Sequence, residues 1–287
     1  MRLPDIAVRG RPARPARWPA VALLFLWACL AASAARAGES YTLAVVPQFD
    51  QRKLHAIWKP IVDEVARRTG YEIRLVAPLT VRDFEQEIAA GSHDFVYANP
   101  YHILRASSRQ GYIPLVHDKA PLRGILVVQK AGPIRELAEL DGKTLAVPSL
   151  NAPGASLMVR ADLEKLHNVR MRPLNVKTHT SVYLQVANGL AAAGGGVEKT
   201  LMEQDPAVRD RLRILYTTRD MPSHPVAAHP RVPAEARSRV QAAFVDLAGT
   251  ESGRALLGEV PILELVATSL KDFLPMRAWG LEAYWVD

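Results

Sequence analysis

The run Gly91-Ser-His-Asp-Phe-Val-Tyr-Ala-Asn-Pro-Tyr-His102 sets an apolar stretch of strand length, His93 to Ala98, directly against Asn99-Pro100, a pair that opens a helix. Asn99 suits the cap position, and Pro100 at the first helical position loses nothing by lacking an N–H. A strand that runs straight into a helix is the repeating unit of an α/β fold, because parallel strands need helical crossovers. The opening between the two presents free backbone amides, which attract an anion. Tyr97 and Tyr101 bring hydroxyls to the same place. Plain capping with Tyr101 packed inward would also account for these residues; the two tyrosines favour binding.

Outward from this run the same alternation continues. Tyr41-Thr-Leu-Ala-Val-Val46 predicts a first strand, and Gln51 to Thr69 a helix with Leu54, Ile57, Trp58, Ile61, Val62 and Val65 on one face. Gly70 stops that helix. Glu72 to Val76 and Tyr112 to Val116 predict further strands, with a helix over Val81 to Ala90. A second series starts at Gly124-Ile-Leu-Val-Val-Gln129 and Thr144-Leu-Ala-Val147, followed by a helix over 154–167, a strand from Met171 to Val176 and a helix near 180–188. The apolar run Leu190 to Ala193 predicts the next strand, then a helix near 197–204 and a strand from Leu212 to Tyr216. The first style of element then resumes, with Val226-Ala-Ala228 and a helix from Pro233 to Ala248.

Single cores stop growing at about 250 residues, so two lobes are expected. Residues 38–122 and 221–287 form a discontinuous first lobe, and 123–220 an inserted second one. The chain crosses between them near Asp118–Arg123 and Thr217–Pro222. Two α/β lobes joined by two hinge crossovers leave a ligand cleft between them, faced by strand C-termini and helix N-termini.

Of the 287 residues, 49% are hydrophobic and 23% charged, which excludes disorder. The formal charge of +7 would suggest an acidic partner, but the excess sits at the N-terminus. Arg2, Arg9, Arg11, Arg14, Arg17 and Arg36 stand there against Asp5 alone. Removing them from the 36 basic and 29 acidic residues leaves 30 and 28, so the body is close to neutral and nucleic-acid binding is not expected. The Arg-rich start, the apolar run Trp18 to Ala32 and the small residues ending in Ala35-Arg36-Ala37 predict a cleaved secretory signal peptide over 1–37. The apolar run is short for a membrane span. Cys29, the single cysteine, is a minor candidate for lipidation; cleavage after Ala37 removes it. The exported chain then has no thiol for catalysis, disulfides or metal binding.

Three further segments suit ligand contact. In Val147-Pro-Ser-Leu-Asn-Ala-Pro-Gly-Ala-Ser156 a strand gives way to small residues and a helix start, where Gly154 and Ala155 let a ligand approach the amides and Ser149, Asn151 and Ser156 supply short donors. An anion at such an end gains about 0.3–1 kcal/mol from the helix dipole. The Gly-Lys-Ser/Thr ending of a nucleotide phosphate loop is absent. Gly194-Gly195-Gly196 suits close backbone approach to a ligand, a tight turn or a flexible connector. In Pro222-Ser-His-Pro225, His224 is placed to donate to an anion or to sit in a rigid turn.

No enzyme reading gathers support. The histidines lack metal-ligand spacing, no Gly-x-Ser-x-Gly elbow occurs, and no acid, base and nucleophile set converges. No metal or other cofactor is expected.

Taken together, the strand at 41–46, Gly91-Ser-His-Asp94 leading to Tyr97-Ala-Asn99-Pro100-Tyr101, the small-residue helix start at 149–156 and Ser181 to Gly189 leading into a short strand resemble the phosphate/phosphite/phosphonate-binding family of periplasmic substrate-binding proteins of ABC transporters. The likeness covers nearly all of the chain after residue 37. It implies the type II periplasmic binding fold, with a ligand held between the lobes by Tyr101 and Tyr97 on one side and by Ser149, Asn151, Gly154, Ala155 and Ser156 on the other. Two departures stand out. The helix start carries fewer hydroxyls than phosphonate binders of the family, and Ala191, Ala192 and Ala193 stand where binders of amino-bearing ligands place an acidic residue, so an aminoalkylphosphonate is not expected. The implied protein is a periplasmic monomer that captures a small oxyanion by lobe closure for an inner-membrane ABC permease; the alternative is a periplasmic input protein read by a membrane sensor.

Overall fold

The computed structural model describes residues 39–286; the signal-peptide reading over 1–37, with Cys29, lies outside the described residues. Two sheets organise the chain. The first runs β11-β4-β10-β3-β1-β2, from β1 (Ser40–Val45), β2 (Glu72–Val76), β3 (Phe95–Tyr97), β4 (Ile113–Asp118), β10 (Pro225–Ala228) and β11 (Leu265–Ala267). Strands β1, β2 and β3 are parallel, whereas β10 and β11 enter antiparallel. The second runs β7-β6-β8-β5-β9, from β5 (Ile125–Gln129), β6 (Thr144–Val147), β7 (Arg172–Asn175), β8 (Ala193–Gly196) and β9 (Leu212–Thr217). Here β6 is parallel to β7 and β8, and β5 runs antiparallel to β8 and β9.

The helices follow the apolar periodicity. Helix α1 (Gln51–Thr69) starts where the Asp50 carboxylate accepts from the Lys53 amide, ends at Gly70 with φ 75°, and buries the six apolar residues of its expected face. Helix α2 (Val81–Ala89) is closed at its start by a reciprocal Thr80–Asp83 box, and α3 (Pro100–Gln110) follows β3 with Pro100 in its first turn. In the second half, a π-helical turn (Pro153–Met158) continues as α4 (Val159–His167), and α5 (His179–Ala187) follows β7.

Between the sheets the chain passes twice, from β4 to β5 and from β9 to β10. The two passages are stitched by reciprocal backbone bonds of Leu122 and Met221, at 2.9 and 3.0 Å. The fully buried Asp162 of α4 accepts from the Arg219 side chain at 2.9 Å and anchors the returning passage. Beyond β11, residues 270–284 fold as short 3₁₀ turns that join neither sheet.

Sequence and structure differ at the glycine run. The apolar stretch Leu190–Ala193 was the expected strand, but the strand is Ala193–Gly196 and the glycines form it. Packing supplies the reason. A Cβ on Gly195 would overlap the Ala155 carbonyl, one on Gly196 the Tyr183 hydroxyl, and one on Gly194 would lie 2.6 Å from Val182 Cγ1. Across the sheet, a Cβ on Gly124 would overlap the Gly154 carbonyl. The run is therefore a seat for the π-helical turn and for α5, neither a connector nor a turn. Replacing Gly195 by Ala is expected to cost about 1–3 kcal/mol through overpacking. Gly258→Ala, at a helical site with open space around it, should stabilise by about 0.5 kcal/mol; urea denaturation of both variants checks the contrast.

Candidate functional site

The parallel strands of both sheets end in segments that carry the expected contact residues. In the first sheet β1 and β3 finish side by side, with the Val46 amide bonded to the Tyr97 carbonyl at 3.0 Å. Tyr97 is 4% exposed, its ring lodged between Trp58, 4.5 Å away, and His224, 5.6 Å away and nearly parallel. Its hydroxyl has no partner among the described residues. Burial first, and the negative charge of Asp118 second, push its ionisation well above the usual phenol range, so it stays a proton donor.

His224 completes this corner. The Gln48 side-chain amide lies 2.9 Å from His224 Nε2; because Gln48 donates there, the ring proton resides on Nδ1. Burial, reinforced by His102, lowers the His224 pKa to about 3, and the ring is neutral at any ordinary pH. Gln48 was not singled out by sequence reasoning, since nothing in its neighbourhood marks it. Asn99 caps α3 through its backbone alone; its side chain makes no capping bond.

Tyr101 faces elsewhere. Its hydroxyl donates to Glu282 at 2.7 Å, and its ring belongs to an apolar cluster with Leu157, Met158, Phe273 and Leu281. A Tyr101→Ala change would empty a buried site, so its loss would cost stability as well as any contact it makes.

The second sheet presents the loop after β6. Ser149 accepts from the Asn151 amide through its hydroxyl and from the Ala152 amide through its carbonyl, both at 3.3 Å. The Asn151 side chain is fully engaged: Nδ2 donates to the Glu85 carboxylate at 3.1 Å and to the Val286 carbonyl at 2.7 Å, while Oδ1 accepts from the Val286 amide at 3.0 Å. Glu85 also meets His102 Nε2 at 3.0 Å. Pro153 to Met158 are all buried. The amides of Ser156 and Leu157 both reach the Ala152 carbonyl, leaving the Gly154 and Ala155 amides as first-turn donors without intrahelical partners. The Ser156 hydroxyl is fully buried with no partner.

Sequence reasoning also missed His179, the first residue of α5. Its Nδ1 is buried without a partner, its ring stacks on Tyr183, and burial lowers its pKa to about 4. The signal was available: Thr178-His-Thr-Ser181 begins a helix at the end of a parallel strand, as Asn99 and Asn151 do, but the expected helix near 180–188 started one residue late.

Structure thus brings Tyr97 and His224 into contact, gathers Ser149, Asn151, Gly154, Ala155 and Ser156 on one loop and helix start, and fastens Tyr101 and Asn151 to the same C-terminal segment. Among the described residues no group of His, Cys, Asp or Glu could hold a metal ion, and no helix is long and apolar enough to cross a membrane.

Comparison with known proteins fits this architecture. The solved binding-protein component of an ABC phosphonate transporter from Pseudomonas aeruginosa superposes with a TM-score of 0.73 at 14% identity, covering 86% of this chain and 88% of that one. PhnD1 from Prochlorococcus marinus, solved in complex with methylphosphonate, gives 0.75 at 12% identity, covering 86% and 99%. A Xanthomonas citri protein solved with ATP gives 0.73 at 15% identity, covering 86% and 98%. These likenesses establish the type II periplasmic binding fold. The family model for the periplasmic substrate-binding protein of phosphonate ABC transporters matches residues 43–273, and the chain belongs to this family of binding proteins, which are not enzymes.

Proposed function

We propose that the protein captures a small tetrahedral oxyanion of the phosphonate, phosphite or phosphate class between two lobes, 38–122 with 221–287 and 123–220, and delivers it as a periplasmic monomer to an ABC permease. The leader over 1–37 fits export with cleavage. One observation carries the reading: buried or nearly buried polar atoms without an internal partner stand at strand ends of both sheets. From the first come the Tyr97 hydroxyl and His224 Nδ1; from the second, Ser156 Oγ, His179 and the amides of Gly154 and Ala155. A buried polar group left unpaired costs about 1–3 kcal/mol, a cost that a guest oxyanion would remove at the Ser156 hydroxyl and the His179 ring. A ligand touching both walls adds to the closed form the interactions that the open form lacks.

All of these donors are neutral. The guest would be held by dipoles, in the manner of helix starts, and not by a buried positive charge. Methylphosphonate is the natural first probe, since a relative of the same fold was solved with it. Tyr97→Phe keeps the ring between Trp58 and His224 and removes only the open hydroxyl. A hydrogen bond to a charged partner contributes about 1.5–3 kcal/mol, so affinity should fall roughly tenfold to a hundredfold, with the melting temperature of the empty protein unchanged. Titration calorimetry and thermal shift against methylphosphonate, phosphite, phosphate, sulfate and a carboxylic acid check this; a protein whose melting temperature none of the phosphorus oxyanions raises does not do what is proposed.

The two histidines add a pH signature. An unfolded histidine titrates near about 6.5, whereas His224 and His179 are held down to about 3 and about 4. Between those values the unfolded chain binds more protons than the folded one, so folding stability falls as pH drops below about 6.5. Urea midpoints of the ligand-free protein between pH 7 and 4.5 should show this slope, and His224→Gln should flatten it.

A further inference from the structure

The segment beyond β11 touches both halves of the molecule. Toward the first sheet, Glu282 accepts from the Tyr101 hydroxyl at 2.7 Å and pairs with Arg105. Trp285 lies 4.2 Å beneath the Arg105 guanidinium and 5.3 Å from His102, and Arg277 donates to the Ser108 hydroxyl at 3.1 Å. Toward the second sheet, Asn151 clasps Val286 by both its amide and its carbonyl. Arg160 of α4 donates to the Tyr284 carbonyl at 3.0 Å, and Arg219 sits 4.9 Å over Trp279. Phe273, Met276, Leu281 and Tyr284 share one apolar cluster with Tyr101 and Leu104 from α3, with Leu157 and Met158 from the π-helical turn and with Ala161 from α4. That cluster also takes in Met221, one partner of the stitch between the two passages.

Covalent geometry decides what happens when the sheets separate. The segment leaves β11, which is hydrogen-bonded to β4 of the first sheet, and Thr268 adds a further bond to Leu115. On opening it stays with the first sheet and must give up the Asn151–Val286 pair, the Arg160–Tyr284 bond and the packing on Leu157, Met158 and Ala161. The direct Asn151–Glu85 contact at 3.1 Å breaks with them.

We propose that the C-terminal segment Phe273–Val286 is a strap that holds the two lobes at their closed spacing without ligand, with Glu282 and Asn151 as its positioning residues. The strap thereby sets the affinity of the cleft from outside it. This rests on the two-lobe reading, but its first readout needs no ligand.

The experiment places spin labels at Leu79→Cys, on the first-sheet side, and Leu190→Cys, on the second-sheet side, both well exposed, with Cys29→Ser in the background. Three forms of the chain carry the labels: otherwise unaltered, Asn151→Ala with Glu282→Ala, and truncated after Gly280. The unaltered chain should show one narrow, short distance without ligand that barely changes with saturating methylphosphonate. Both strap variants should show a longer, broader distribution that methylphosphonate returns to the short one, with affinity at least fivefold weaker. Identical ligand-free distributions in the unaltered chain and the double variant would overturn the proposal, as would a broad distribution in the unaltered chain. Circular dichroism checks folding. Should the truncated chain not fold, the double variant decides alone, because it keeps the anchors Phe273, Met276 and Leu281. If methylphosphonate moves nothing while the ligand-free distances behave as expected, the strap stands and the ligand assignment fails.

Discussion

The second sheet works only because side chains are missing from it. Gly124 and Gly195 leave a flat patch on which the backbone of Gly154 and Ala155 lies at contact distance, and Gly194 and Gly196 do the same for Val182 and Tyr183. Each strand glycine weakens its strand by about 0.5–1 kcal/mol relative to alanine, so the run is retained against a local cost. What it secures is position: the π-helical turn is buried over its whole length, its first residues lie against Gly124 and Gly195, and the Ser156 hydroxyl is buried. A methyl group on Gly195 would lift that helix start and every donor it carries.

With position fixed, charge becomes the second constraint. In the proposed cleft an arginine or lysine would demand a counter-ion whenever no anion is bound. Neutral donors avoid that demand. Tyr97 is held protonated and His224 unprotonated by the same burial, and their stacking fixes both rings. Glu85, the carboxylate at this junction, is bonded to His102 and Asn151.

Local pattern made much of this legible. Strands β1 and β3 and helix α1 follow from apolar periodicity because each buries a face against one nearby core, and Asp50, Gly70 and Pro100 fix helix ends through bonds spanning a few residues. The order of elements, with a second βα series inside the first, could be read the same way. What local pattern left hidden shares a cause. Tyr101 and Asn151 carry the right chemistry for a guest, but Glu282 and Val286 engage them from 181 and 135 residues away, and no local pattern announces such a partner. The glycine run was ambiguous because its meaning lies in the backbone of Ala155 and the ring of Tyr183, each brought there by folding alone.

The form of the C-terminal segment follows from what it must touch. A regular helix presents one stripe to one surface, whereas this segment serves two surfaces facing different ways. Pro275 in the first turn of one 3₁₀ piece and Gly280 at φ 68° break it into short turns, so that successive side chains point to opposite sides. Glu282 reaches α3 while Leu281 and Tyr284 pack toward α4, and Trp285 lies against Arg105 while Val286, the next residue, meets Asn151. Flat aromatic rings suit this work, since they bury large areas at little conformational cost. An irregular backbone rich in aromatic residues therefore suits a segment that touches both sheets at once, and its irregularity is why periodicity could not describe it.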